Sequence, residues 1–163
     1  MTAQENMNLI RAWVDAVNRN DVEGELACWQ PDGEMTIMVT GTTSKGHAAL
    51  RQGGEWSASM VSAQPLQGRK QITNLFASDE WVCVEYHSRA TITGPIEMRG
   101  VTIIPEGISR AIDTEACVIA HIRDGKMDRA REYFDSATFA RQLEVNSAEV
   151  SALYSSLLTD ANS

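Results

Sequence analysis

Apolar residues at i, i+3, i+4 and i+7 open the chain: Ile10, Trp13, Val14 and Val17 form one stripe, which predicts an amphipathic helix closing near Asn18. Asn20 with Glu23 three residues on has the form of a capping box and starts a second short helix carrying Val22, Leu26 and Trp29, which Pro31 stops. The stretch 33–39, rich in Met, Thr, Ile and Val, is predicted as a strand. Residues 41–45 are predicted as a loop whose Ser44 caps a third helix containing Ala48, Ala49, Leu50, Trp56 and Met60. Inside that helix sit Gly53 and Gly54. Each glycine costs about 1 kcal/mol relative to alanine there, so the pair reads first as close packing and otherwise as a break or a hinge.

The pattern then changes from helical spacing to alternation. Segments 70–77 and 81–92 are predicted strands joined by a turn at 78–80. In the second of them Val82, Val84, Tyr86, Ser88 and Ala90 share one face, taken as the buried one, and Cys83, Glu85, His87 and Arg89 share the other. Gly94-Pro95 turns the chain, 98–104 is a further extended run, and Pro105-Glu106-Gly107 marks a loop. A strand over 114–122 feeds Asp124-Gly125, a pair that supplies the positive φ values of a type I′ hairpin. On the returning strand Ala130, Glu132 and Phe134 fall on one face, read as inward, and Arg129, Arg131 and Tyr133 on the other. Asp135-Ser136 caps a short helix ending near Leu143, and Val150, Leu153, Tyr154, Leu157 and Leu158 form a helical stripe behind a Ser147 cap in the tail. Helices with one early strand, followed by a run of antiparallel strands, give an α+β class with a cavity expected between a curved sheet and its helices.

Length and composition narrow this picture. A chain of 163 residues with 43% hydrophobic and 22% charged residues is expected to be one globular domain. The first residues, M-T-A-Q-E-N, show no basic stretch before an apolar core, and no apolar run reaches a membrane span, so a cytoplasmic protein is expected. Cys28, Cys83 and Cys117 are widely spaced and read as buried thiols, with neither a disulfide framework nor a metal site. A net charge of −8 opposes binding to nucleic acid. No glycine-rich phosphate loop or metal-ligand spacing is found, and neither a metal nor a cofactor is expected.

The candidate chemistry rests on a few positions. A Glu held between Ala130 and Phe134 loses hydration in its charged form, which raises its pKa toward neutrality and suits Glu132 to proton transfer. With the strand register reversed, Glu132 instead pairs with an arginine in solvent. Asp135 is a good helix N-cap that can also point into a pocket mouth. Tyr86 on the inward face is either a donor to a developing oxyanion or ordinary core. His47, in the first turn of its helix, is kept neutral by the helix dipole and is either a base or a surface residue. Glu85, His87 and Arg89 read as a charge ladder at solvent or a subunit contact. Trp29, Trp56, Met35 and Met38 are candidates to line a cavity for a ring-shaped ligand, alongside Ser88 and Phe134, with plain core packing as the alternative.

The segments D-G-K-M, R-E-Y-F-D and R-Q-L, together with A-V-N-R-N-D-V-E, K-G-H-A-A-L and the P-E-G loop, resemble the SnoaL-like polyketide cyclases of the nuclear transport factor 2-like superfamily. The resemblance covers most of residues 5–144, which makes 1–144 the domain and 145–163 a helical tail. It implies a cone-shaped α+β barrel, the sheet wrapped around the N-terminal helices, with an apolar pocket, no metal and frequently a homodimer. It also implies that Asp135 is the acid/base of an intramolecular aldol closure. The related limonene epoxide hydrolases place their pocket acid at Glu132, but their Arg-x-Asp pair is matched here by Tyr86-His87-Ser88, and the glycine after Gln142-Leu143 is replaced by Glu144. The expectation is a cofactor-independent cyclisation or isomerisation of a small apolar carbonyl or polyketide-like substrate, with Glu132 and Asp135 as acid/base and Tyr86 as donor. An epoxide hydrolase or dehydratase, or a non-catalytic ligand carrier, are the alternatives.

Overall fold

A computed structural model describes residues 2–60, 69–98 and 101–146. In chain order it places α1 (Ala3–Asn18), α2 (Val22–Ala27), β1 (Trp29–Ile37), β2 (Thr42–Lys45) and α3 (Gly46–Met60). There follow β3 (Lys70–Ser78), β4 (Trp81–Thr93), β5 (Ile96–Met98), β6 (Val101–Ile104), β7 (Ser109–Arg123), β8 (Lys126–Phe134) and α4 (Ser136–Leu143).

The first helix follows its stripe. Thr2 and Glu5 form a capping box, and Ile10, Trp13, Val14 and Val17 are buried. The second helix departs from the expectation in two ways. Its cap is Asp21, whose carboxylate accepts from the Gly24 N–H, while Asn20 lies in the left-handed region at φ 54°. Trp29 belongs to β1, where it is buried in the main core. Pro31 is accommodated inside β1 because the ladder with β8 is interrupted between Trp29 and Glu34, so no N–H is needed there.

The stretch read as a loop at 41–45 contains β2, which pairs antiparallel with β1, the Thr36 and Thr43 hydroxyls meeting at 2.9 Å. Ser44 is therefore a strand residue and not a helix cap. T-T-S-K carries no apolar alternation, and only its β-branched threonines hint at the edge strand it forms. The extended run expected over 98–104 is divided between β5 and β6, which form a separate two-stranded sheet. The stretch 61–68, between the third helix and the first of the alternating strands, and the tail helix expected behind Ser147, at 147–163, fall outside the described residues.

The main sheet has six strands in the order β2-β1-β8-β7-β4-β3. It is mixed, because β1 runs parallel to β8 while the other pairs are antiparallel. The sheet is curved and does not close, giving an α+β fold with four helices among the described residues. Asp124 and Gly125, at φ 50° and 77°, turn β7 into β8 as their sequence demands. The inner face carries Val82, Val84, Tyr86, Val118, Ala120 and Ala130, packed against Ile10, Trp13, Val14 and Val17 of α1. A second cluster of Ile92, Ile104, Ile112, Phe139, Ala140 and Leu143 seats α4 on the far end of the sheet. Glu144, where the resemblance expects glycine, adopts φ 60° and pairs with Arg110 at 2.6 Å. No helix among the described residues is long and apolar enough to cross a membrane.

Candidate active site

Between the helices and the inner face of the sheet lies a cavity of about 220 Å³. Its walls are largely apolar: Trp13 and Val17 from α1, Leu26 from α2, Trp29, Met35 and Ile37 from β1, Leu50 and Trp56 from α3, Ile92 and Ile112 from the sheet, and Phe134 and Phe139 near α4. Aromatic rings at so many points of the wall suit a flat or ring-bearing ligand.

Three polar side chains from adjacent parts of the sheet meet on this apolar surface. Lys70 Nζ donates to Tyr86 Oη at 2.6 Å and to Glu132 Oε1 at 3.2 Å, and the Tyr86 hydroxyl donates to the same carboxylate oxygen. The ammonium also lies 4.2 Å from the centre of the Tyr86 ring and 5.5 Å from that of Trp13, a favourable cation–π geometry. The Lys70 and Glu132 side chains are 13% and 16% exposed, so they attract each other with little solvent between them. Lys70 is fixed from behind by Asn18, whose amide donates to the Lys70 carbonyl at 3.0 Å and accepts from its N–H at 2.7 Å.

The inward face expected for Ala130, Glu132 and Phe134 is the observed one, but the proton affinity of Glu132 is opposite to expectation. Burial pushes the carboxyl up. The Lys70 charge, the Tyr86 hydroxyl, the Lys70 hydrogen bond and the more distant Arg69 together outweigh it, and Glu132 stands below the ordinary carboxylate range. The expectation considered only neighbours on β8, and the decisive partner comes from β3.

A second carboxylate lines the same cavity. Glu25 of α2 is half-buried, and burial pushes its pKa up to about 7; Lys70 and Arg69 pull it down in part, and Asp21 adds to the rise. Arg69 itself donates to Asn20 Oδ1 at 3.1 Å and to Ser57 Oγ at 2.5 Å, tying the start of β3 to α3 and to the α1–α2 connection.

The cavity brings together seven of the residues singled out in the sequence: Glu132, Tyr86, Trp29, Trp56, Met35, Ser88 and Phe134. Asp135, His47 and Met38 stand elsewhere. Asp135 is exposed and accepts from the Ala137 and Thr138 N–H groups, both at 3.0 Å, and from the Thr138 hydroxyl at 2.6 Å; these bonds, led by that hydroxyl, hold its pKa low. His47 Nε2 is 3.2 Å from the Trp29 carbonyl, and Met38 is 40% exposed.

Lys70, Arg69 and Glu25 were not foreseen, although two had a signal. Lys70 shares strand parity with Ile72 and stands opposite Ser88 of the inward set. Glu25 falls between Val22 and Leu26 on the apolar stripe of α2, where a carboxylate is out of place.

Among the described residues no group of three or more His, Cys, Asp or Glu side chains is placed to hold a metal ion. Cys28 is buried; Cys83 and Cys117 are only half-buried, their sulfurs 3.5 Å apart on the outer sheet face.

The sequence model of the SnoaL-like domain matches residues 10–130, and the chain belongs to that family. Among solved structures it is similar to a candidate polyketide cyclase from Xanthomonas campestris pv. campestris, at 20% identity over 86% of this chain and 98% of the other, with a TM-score of 0.70. It is also similar to a candidate SnoaL-like polyketide cyclase from Shewanella putrefaciens CN-32, at 14% identity over 88% and 98% of the two chains, with a TM-score of 0.72. A third likeness is to TerC, solved with polyporic acid, at 20% identity over 86% and 98%, with a TM-score of 0.65. At these identities the likeness is one of fold. No curated protein sequence matches the chain.

Proposed function

We propose that the chain is an enzyme that moves protons on a small, mostly apolar carbonyl compound, cyclising or isomerising it at a centre formed by Lys70, Tyr86 and Glu132. The observation that carries this reading is the hydrogen-bonded ammonium, phenol and carboxylate set into an otherwise apolar, aromatic cavity. Such a set is costly to bury and contributes little to packing, which is the usual mark of a site retained for chemistry.

In this reading the substrate carbonyl rests against the Lys70 ammonium, which stabilises negative charge developing on oxygen in a poorly solvated place. Glu132, ionised at neutral pH, takes the proton from the adjacent carbon. The enol then either regains a proton at another carbon, which is isomerisation, or attacks a second carbonyl of the same molecule, which is ring closure. TerC, alike in fold, was co-crystallised with polyporic acid, and the aromatic walls of the cavity here favour a ring-bearing ligand. Asp135 serves α4 as its cap. We further propose that the protein works as a homodimer, a second copy covering the outer sheet face where Phe76, Trp81 and Tyr133 stand exposed; light scattering giving the mass of a single chain overturns that part.

The test is exchange of carbonyl-adjacent protons for deuterium, followed by proton NMR in heavy water with 2-tetralone and small cyclic monoketones as probes. The native protein is expected to accelerate exchange, and Glu132→Gln to slow it by about 100-fold or more. No acceleration with any probe overturns the enzymatic reading. Conversion of an epoxide probe to a diol carrying oxygen from labelled water would replace it with epoxide hydrolysis.

A further inference from the structure

We propose that Glu25 is a second catalytic residue of this cavity: the general acid that delivers a proton to the substrate oxygen while Glu132 removes one from carbon. The inference rests on the proton-transfer reading above and adds to it a group from the helical wall.

Placement supports this first. Val22, Glu25 and Leu26 of α2 all line the cavity, so the carboxylate occupies a position where the helix otherwise presents apolar side chains. It lies beside α3 where that helix has no side chains. A Cβ built on Gly54 would stand 3.7 Å from Glu25 Oε2 and 3.4 Å from a Val22 methyl, whereas one built on Gly53 would meet nothing within 4 Å. Gly53 and Gly54 both line the cavity, and at Gly54 the missing side chain leaves the Glu25 carboxyl open to it.

The charges around it make the second argument. Lys70 and Arg69 lower the proton affinity of both Glu25 and Glu132, but only Glu132 is in hydrogen-bond contact with Lys70. The other charged neighbour on α2's side is Asp21, the cap of that helix, which disfavours ionisation of Glu25. On α3, Arg51 is turned to Glu23, and α1 presents Trp13 and Val17 to the cavity. Burial, helped by Asp21, therefore holds Glu25 near neutrality, at about 7, against the pull of Lys70 and Arg69, while Glu132 stays low. Two carboxyls driven apart in one site divide the work: the low one is the base and the high one the acid.

The step balances. A carbon–hydrogen bond next to the carbonyl breaks and its proton goes to Glu132; the O–H bond of Glu25 breaks and its proton goes to the carbonyl oxygen, giving an enol. The site is then left with Glu25 ionised and Glu132 protonated. On isomerisation Glu132 returns its proton to a different carbon and the enol oxygen returns its own to Glu25. On ring closure the enol carbon bonds to a second carbonyl carbon, the new alkoxide takes the Glu132 proton, and the enol proton goes back to Glu25.

The test is the pH dependence of deuterium exchange with 2-tetralone and the cyclic monoketones, with carboxyl-carbon NMR of Glu25 assigned through Glu25→Gln. The native rate is expected to fall above about pH 7, because the acid must be protonated, and the Glu25 carboxyl to titrate at the same pH. Glu25→Gln is expected to slow exchange by about 100-fold and to abolish the fall, while Glu25→Asp, slower through its shorter reach, keeps the fall. A folded Glu25→Gln protein with the native rate and the native alkaline limb overturns the role of Glu25 while leaving Glu132 in place. A Glu25 carboxyl titrating near 4.5 in the native protein overturns it without reference to any variant. A native protein that exchanges no probe overturns this role together with the reading on which it rests.

Discussion

The sheet wall and the helical wall of the cavity each carry a glutamate, and the two differ in what surrounds them. Glu132 is the more deeply enclosed, yet it is the one held low, because Lys70 and Tyr86 touch its carboxylate directly. Glu25 is only half-buried, yet burial pushes it up to about 7, because its cations oppose that only from a distance and its own helix cap, Asp21, adds to the rise. Depth alone predicts the opposite order. The difference teaches that a hydrogen-bonded charge partner outweighs desolvation, and that a carboxyl without one follows desolvation even when partly wet.

Removing the partner is the largest way to break this contrast. Lys70→Met leaves the Glu132 carboxylate buried with only Tyr86, and breaking a buried pair costs about 3 kcal/mol. Urea unfolding at pH 7 should show that loss, and deuterium exchange of the carbonyl probes should disappear. In the native protein the folded pKa of Glu132 lies below its unfolded value, so its contribution to stability is present above the unfolded pKa and is lost as pH falls through the folded one. In the variant burial dominates and the carboxyl should titrate above its ordinary value. A Glu132 that stays low without Lys70 would mean Tyr86 alone sets it.

The opposite sign is expected for Glu25. Its folded pKa is raised, so the folded state favours the protonated form and a stability penalty develops as pH rises from the unfolded value toward about 7. Glu25→Gln should therefore be more stable than the native protein at pH 8, by about 2 kcal/mol after allowing for solvent at a partly exposed group, and no more stable near pH 4. Denaturant unfolding at the two pH values checks it. A gain of equal size at both would assign the penalty to packing and not to charge.

These two walls were unequally legible in the sequence. The inward face of β4 and β8 followed from alternation, and with it Tyr86, Glu132 and Phe134, because a residue's face in a strand depends only on its parity. The reading of Glu132 as an isolated pocket acid failed since Lys70 lies 62 positions earlier in the chain and only the β3–β4–β7–β8 pairing brings the two together. Glu25 was visible as a charge on an apolar stripe, but a six-residue helix gives too little periodicity for one exception to stand out. β2 stayed hidden for the reason that edge strands usually do: its polar residues carry no alternation to mark it. Asp135 was read correctly as a cap, and the family resemblance added a chemical role that its exposed, fully engaged carboxylate does not favour.

A smaller effect tests that last point. Asp135→Ala removes the cap of α4 and should lower Tm by roughly 2–4 °C. Exchange rates and their pH dependence should stay at native values, since neither cavity carboxylate touches it. Loss of exchange in a folded Asp135→Ala protein would make it a third acid of the site and would reduce the two-wall contrast to part of a larger set.

The smallest expected change separates packing from access at α3. Alanine at position 53 meets nothing within 4 Å, so Gly53→Ala should stabilise the helix by about 0.5 kcal/mol through the unfolded chain and leave the alkaline limb of exchange where it was. Alanine at position 54 makes ordinary contact with Val22 and comes within 3.7 Å of the Glu25 carboxyl, displacing water from it. Gly54→Ala should gain no more stability than its neighbour, yet move the alkaline limb and the Glu25 titration together to higher pH. Were the glycines present for close packing, Gly54→Ala would instead be the destabilised member of the pair and the titration would not shift. The two substitutions differ by one position and share one helix propensity, so any difference between their pH profiles belongs to the carboxyl beside them.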